Sequence, residues 1–156
     1  MINKNQKLKI TLDSCILFDY LNPHRKNHVK AKKVIEDNRY ELYITESVLK
    51  EIRIDTQLEE VKRLISSNVL IVLKEPGMGI SIPVSIPMDL SHISAKRDAS
   101  IALHLKKRPG LKKHKVLRDF LIAEAHQRNK NDYLLTTNTK DFIDNTDMII
   151  KSYENL

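Results

Sequence analysis

The stretch Leu8-Lys9-Ile10-Thr11-Leu12-Asp13-Ser14-Cys15-Ile16-Leu17-Phe18-Asp19-Tyr20-Leu21 decides the fold. Its first five residues place Leu8, Ile10 and Leu12 at period 2, the pattern of a short strand. From Ser14 the period changes. Ile16, Leu17, Tyr20 and Leu21 fall on one side of a helix. Asp13 stands at the junction, where a strand end meets a helix start.

The same alternation continues along the chain. Further strands are predicted at 42–45, 69–73, 133–136 and 148–150, and the one at 69–73 is apolar enough to be buried on both faces. Helical patterns lie between them at 29–38, 46–54, from Thr56 onward, at 94–107 and from near Arg118. Thr56 and Glu59 read as a capping box for the helix that starts there. Strands separated by helices at this spacing imply an α/β fold with a parallel sheet covered on both faces. In such sheets the chemistry sits beyond the carboxyl ends of the strands, near the point where the winding reverses.

The chain has 156 residues and no internal repeat, which suits one domain over 1–156. A segment at about 75–89 interrupts the pattern: residues 76–88 carry three prolines, two glycines and no charge. It reads as an inserted loop, with a partner contact or movable flap as its functional alternative. No stretch approaches the ~20 apolar residues of a membrane span. The start, MINKNQKLKI, lacks the apolar core of a signal segment. Cys15 is the single cysteine, which excludes an internal disulfide and a Cys-rich zinc site. A soluble, cytoplasmic protein without a membrane partner is expected.

The formal net charge is +7 and the pI about 9.4. The charge is concentrated in residues 106–118, KKRPGLKKHKVLR, which contain seven cations and no acid. A second basic run holds Arg25, Lys26, Lys30, Lys32 and Lys33. Such runs suit a nucleic-acid backbone, and equally a solvated surface. Aromatic residues make up 5% and Trp is absent, which argues against a base-stacking sheet.

Four acids stand at the edges of these elements: Asp13 after the first strand, Glu51 after the second, Asp119 at the start of a helix and Asp141 after the fourth strand. Each also has a structural use, as a helix cap, a helix-start charge, a lysine partner or a turn residue. Several carboxylates in one cleft repel one another unless a cation is present. Mg²⁺ and Mn²⁺ take oxygen ligands and can activate water for phosphodiester cleavage. No Gly-rich phosphate loop is present, which argues against a nucleoside triphosphatase. His24 and His28 lack a third ligand and read as a solvated pair. His126 reads as helix surface, and Cys15 as a small packed residue.

Four ordered blocks resemble the PIN-domain ribonucleases, the family that includes the VapC-type toxins. They are Ile10-Thr11-Leu12-Asp13-Ser14-Cys15-Ile16-Leu17, Ile44-Thr45 with Val48-Leu49-Lys50-Glu51-Ile52, Asp119-Phe120-Leu121-Ile122-Ala123-Glu124-Ala125-His126, and Leu134-Leu135-Thr136-Thr137-Asn138-Thr139-Lys140-Asp141-Phe142. The resemblance implies a three-layer α/β/α sandwich with strand order 3-2-1-4-5. It implies endoribonucleolytic cleavage with Mg²⁺ or Mn²⁺ held by Asp13, Glu51 and Asp119. The fourth acidic position falls at Asn138 in some members and before the Phe in others; Asp141 is favoured, with Ser14, Thr136 and Asn138 lining the site. Lys112, Lys113, Lys115 and Arg118 are expected to contact RNA. An antitoxin and a homodimer are the implied protein partners. A non-catalytic binding module in RNA processing and a structure-specific DNA nuclease are the alternatives.

Overall fold

The structure, a computed structural model, describes residues 6–74, 113–142 and 148–156. Within these, five strands form one parallel sheet: β1 (Leu8–Leu12), β2 (Tyr40–Thr45), β3 (Leu70–Leu73), β4 (Tyr133–Leu135) and β5 (Ile150–Lys151). Their order is β3-β2-β1-β4-β5, and every neighbouring pair is parallel. The helices are α1 (Ser14–Leu21), α2 (His28–Ile35), α3 (Glu46–Lys50), α4 (Asp55–Ser66) and α5 (Lys113–Asn129). The architecture is the expected α/β one with strand order 3-2-1-4-5. The winding reverses between β1 and β4, so the cleft rule points to Leu12 and Leu135.

The core explains why these segments adopt these elements. Ile10, Leu12, Ile44, Leu134 and Leu135 project from the central strands and are fully buried. Ile16 and Leu17 of α1 and Ile122 of α5 cover them. Each such side chain contributes about 1.5–3 kcal/mol on burial. Phe142 is also fully buried and anchors the short 3₁₀ turn Thr139–Phe142 after β4.

Several boundaries differ from the sequence reading. β2 starts at Tyr40, β3 starts at Leu70 and β5 is shifted to Ile150–Lys151. β3 is an edge strand, so Ile71 is exposed instead of covered on both faces. Helix α3 ends at Lys50, four residues earlier than its pattern suggests. Helix α4 begins at Asp55 behind Ile54, with no side-chain cap, so Thr56 is inside the helix and closes no capping box. Beyond its end, Asn68 has a φ of 60°, which uses the tolerance of Asn for the left-handed region. Helix α5 begins at Lys113, five residues before the expected start, which moves Asp119 out of the first turn. The segment at 75–89 and the helix expected at 94–107 lie outside the described residues.

Candidate active site

The site starts at the β1–α1 junction. Asp13 is N-cap of α1: its Oδ1 accepts a 2.7 Å bond from the Ser14 amide. Its own amide donates to the Leu135 carbonyl at 3.0 Å, tying the end of β1 to the end of β4. Thr136 follows β4 and is fully buried; its hydroxyl donates to Asp13 Oδ2 at 2.7 Å. That hydroxyl also accepts from the Asn138 amide at 3.0 Å. The Cys15 thiol lies 3.4 Å from Asp13 Oδ2. Burial and the Asp13 charge push this thiol up, so it remains protonated and serves as a packed donor.

Asp119 comes in from α5 and is buried, 7% exposed. Its carboxyl is pushed up to about 7, first by burial and then by the nearby charges of Asp13 and Asp141; Arg118 and Lys115 oppose the rise. This mutual influence joins three elements: the β1 end, α5 and the 3₁₀ turn after β4. Glu51 enters through Arg118. That residue is ion-paired with Glu51, and its Nη2 lies 3.6 Å from Asp119 Oδ1. Lys115 Nζ lies 3.7 Å from Asp141 Oδ2. Arg118 Nε is buried without a hydrogen-bond partner among the described residues.

Asp13, Glu51, Asp119 and Asp141 therefore belong to one neighbourhood at the carboxyl edge of the sheet, with Ser14 and Thr136 holding Asp13. Asn138 is exposed and engages Thr136 through its backbone amide. Lys115 and Arg118, read from sequence as phosphate contacts, are counter-ions inside the acid cluster. Their spacing on α5 explains this. With the helix starting at Lys113, Lys115 lies three and four residues before Arg118 and Asp119, so all three share a face. Lys112 lies outside the described residues, and Lys113 is described in its backbone alone.

Among the described residues, no three His, Cys, Asp or Glu side chains stand close enough together to form a ready metal cage. The donor chemistry nonetheless fits a hard divalent cation. The nearby groups are carboxylates and hydroxyls, and the repulsion that raises Asp119 is what such a cation would relieve. A larger cavity, about 850 Å³, opens near the amino ends of β2 and β3, lined by Tyr40, Glu41, Val69 and Ile71, away from these acids.

Two readings change. His126 is buried instead of forming helix surface: Nδ1 meets Thr11 Oγ1 at 2.7 Å. Asn131 Nδ2 donates to the same oxygen at 2.8 Å. His28 is half-buried, with Nδ1 3.0 Å from the Asp19 carbonyl oxygen, while His24 is exposed.

No protein-family model matches the sequence, and no curated protein matches it. Among solved structures, it is similar to a chain in the crystal structure of VapBC2 from Rickettsia felis bound to a DNA fragment from their promoter. The TM-score is 0.53 at 16% identity, over 93% of this chain and 98% of that one. The fold is thus PIN-like. Among the described residues, no helix is long and apolar enough to cross a membrane.

Proposed function

We propose that the protein is a metal-dependent nuclease of the PIN type that cleaves RNA. One observation carries the reading: at the switch point of a parallel sheet, buried Asp119 of α5 shares a neighbourhood with Asp13 at the end of β1, Asp141 after β4 and, through Arg118, Glu51. Burial and the Asp13 and Asp141 charges accordingly raise its carboxyl to about 7. Asp13, Glu51, Asp119 and Asp141 would hold Mg²⁺ or Mn²⁺, which when bound supplies Lewis acidity and an activated water. Thr136 and the Ser14 amide fix the Asp13 carboxylate. Arg118 and Lys115 offset the acid charge and would meet an entering phosphate.

The likeness to a VapBC2 chain supports a toxin that pairs with an antitoxin; a homodimer is an expectation of the family resemblance alone. The test uses Asp13→Asn and Asp119→Asn, checked for folding by circular dichroism. Both should lose Mn²⁺-dependent cleavage of single-stranded RNA. Cleavage at the parent's rate by either folded variant contradicts the assignment.

A second reading has its own observation. Arg118 already bridges Glu51 and Asp119, and no ready cage stands among the described residues, as a PIN-fold module that binds RNA or protein without cutting would have it. RNA binding without Mn²⁺ binding or cleavage selects the module. Cleavage of flapped DNA but not RNA selects a structure-specific DNA nuclease.

A further inference from the structure

Beside the acid cluster lies a cavity of about 490 Å³ bounded by the start of α1, the end of α3 and one face of α5. Its lining includes Arg25, Lys50, Arg53 and Arg118, against the single acid Glu51, together with Ser14 and Phe18. Three of these cations belong to neither of the roles assigned above. Arg25, Lys50 and Arg53 are exposed, and Lys50 and Arg53 form no ion pair among the described residues.

Arg25 is held in place. Its Nε donates to Asp19 Oδ1 at 2.7 Å, and Asp19 is 3% exposed. The other oxygen, Oδ2, accepts from the Tyr153 hydroxyl at 3.0 Å. Burial and the Asp19 charge push the Tyr153 phenol well above its usual range, which keeps it a donor. The backbone around Arg25 is fixed as well: its amide donates to the Asn22 carbonyl and its carbonyl accepts from the His28 amide. A guanidinium anchored through Nε retains its two Nη groups for a bidentate oxyanion contact.

We propose that this groove binds the phosphodiester backbone of a single nucleic-acid strand, with Arg25, Lys50 and Arg53 gripping phosphates next to the scissile one. The assignment rests on the nuclease reading for its substrate, and it adds a binding subsite that the basic run at 106–118 does not supply. The groove opens directly onto Glu51 and Arg118, so a strand lying in it delivers its next phosphate to the acid cluster.

The experiment measures binding of one fluorescent oligonucleotide, made as RNA and as DNA, by anisotropy in EDTA across a salt series. The variants are Arg25→Gln/Arg53→Gln and Lys50→Gln/Arg53→Gln, the second keeping the Asp19 anchor intact. Lys62→Gln on α4, whose lysine pairs with Glu59, is the control. Each double variant should bind RNA about tenfold more weakly, with a salt slope smaller by about 1.4, or about 0.7 for each phosphate that is no longer neutralised. The control should match the parent. Equal losses on DNA assign the groove to phosphodiesters in general, and losses confined to RNA assign it to RNA. An unchanged slope in the Lys50→Gln/Arg53→Gln protein, or a parent that binds neither strand, overturns the proposal. A slope change between parent and variants, in a parent that never cuts with Mn²⁺, keeps the groove and removes the nuclease reading.

Discussion

Helix α5 carries two buried polar residues seven positions apart, Asp119 and His126, and their surroundings differ in kind. Seven residues span about two turns, so both face the sheet. His126 joins a neutral network in which Thr11 Oγ1 is the shared partner of its ring and of the Asn131 side-chain amide. Burial pushes its imidazole down to about 4, so it stays uncharged at neutral pH. Asp119 faces like charges, and burial raises its carboxyl to about 7. A satisfied neutral network holds a fold together at little electrostatic cost. A buried group facing like charges costs stability, and such strain collects where chemistry needs it. The comparison separates the structural end of α5 from the end that carries the proposed site.

The largest expected effect is on the proposed site. Asp13→Asn should reduce Mn²⁺-dependent RNA cleavage to background, while circular dichroism shows an unchanged fold. Asp119→Asn should act the same way on cleavage and in the opposite sense on stability. The folded carboxyl titrates above its unfolded value, so its contribution to stability is present below about pH 4 and lost as pH rises through about 7. Removing the charge should raise the stability of the metal-free protein at pH 8 by about 2–4 kcal/mol, read from urea denaturation. A decrease would show that Asp119 has a structural role like that of His126.

The structural end should respond to acid. The folded imidazole of His126 titrates below its unfolded value of about 6.5. Its contribution is therefore present above pH 6.5 and lost as pH falls toward 4, by about 3 kcal/mol at most. Thr11→Val should cost about 1–3 kcal/mol by leaving the Asn131 amide and the His126 ring without their shared partner. Mn²⁺ affinity should not change. Thermal melts at pH 7 and pH 5 check both statements when made on the Asp119→Asn protein, where the opposing titration of Asp119 is removed, and a pH-independent melt of that protein would refute the first. The smallest effect belongs to the exposed ion pair Lys62–Glu59: Lys62→Gln should leave the melting temperature within experimental scatter.

The same contrast explains what can be read in the chain. Asp13 is legible because the period changes from 2 to 3.6 around it, and a strand end in a parallel sheet is where a cleft forms. The strand order follows the family resemblance, and the sheet carries it. The buried state of His126 is not legible, because its partner Thr11 is 115 residues away and a His among Glu124, Gln127 and Arg128 looks solvated. Lys115 and Arg118 are read as phosphate contacts from their charge, and their pairing with the acids is not legible when the helix is started near Arg118. Moving its start to Lys113 brings both onto the face of Asp119. The Arg25 groove gathers residues from three parts of the chain, and Arg25 is anchored through Asp19, which Tyr153 holds by a hydrogen bond across 134 residues that no local pattern reveals.

The central claim is that the like-charged acids around Asp119 form a cation site. Calorimetric titration of Mn²⁺ into the metal-free parent and into Asp119→Asn at about pH 7.5, just above the folded carboxyl's titration, tests it most directly. The account predicts saturable binding to the parent that is lost in the variant. Equal binding by the two folded proteins, or none by the parent, would contradict it.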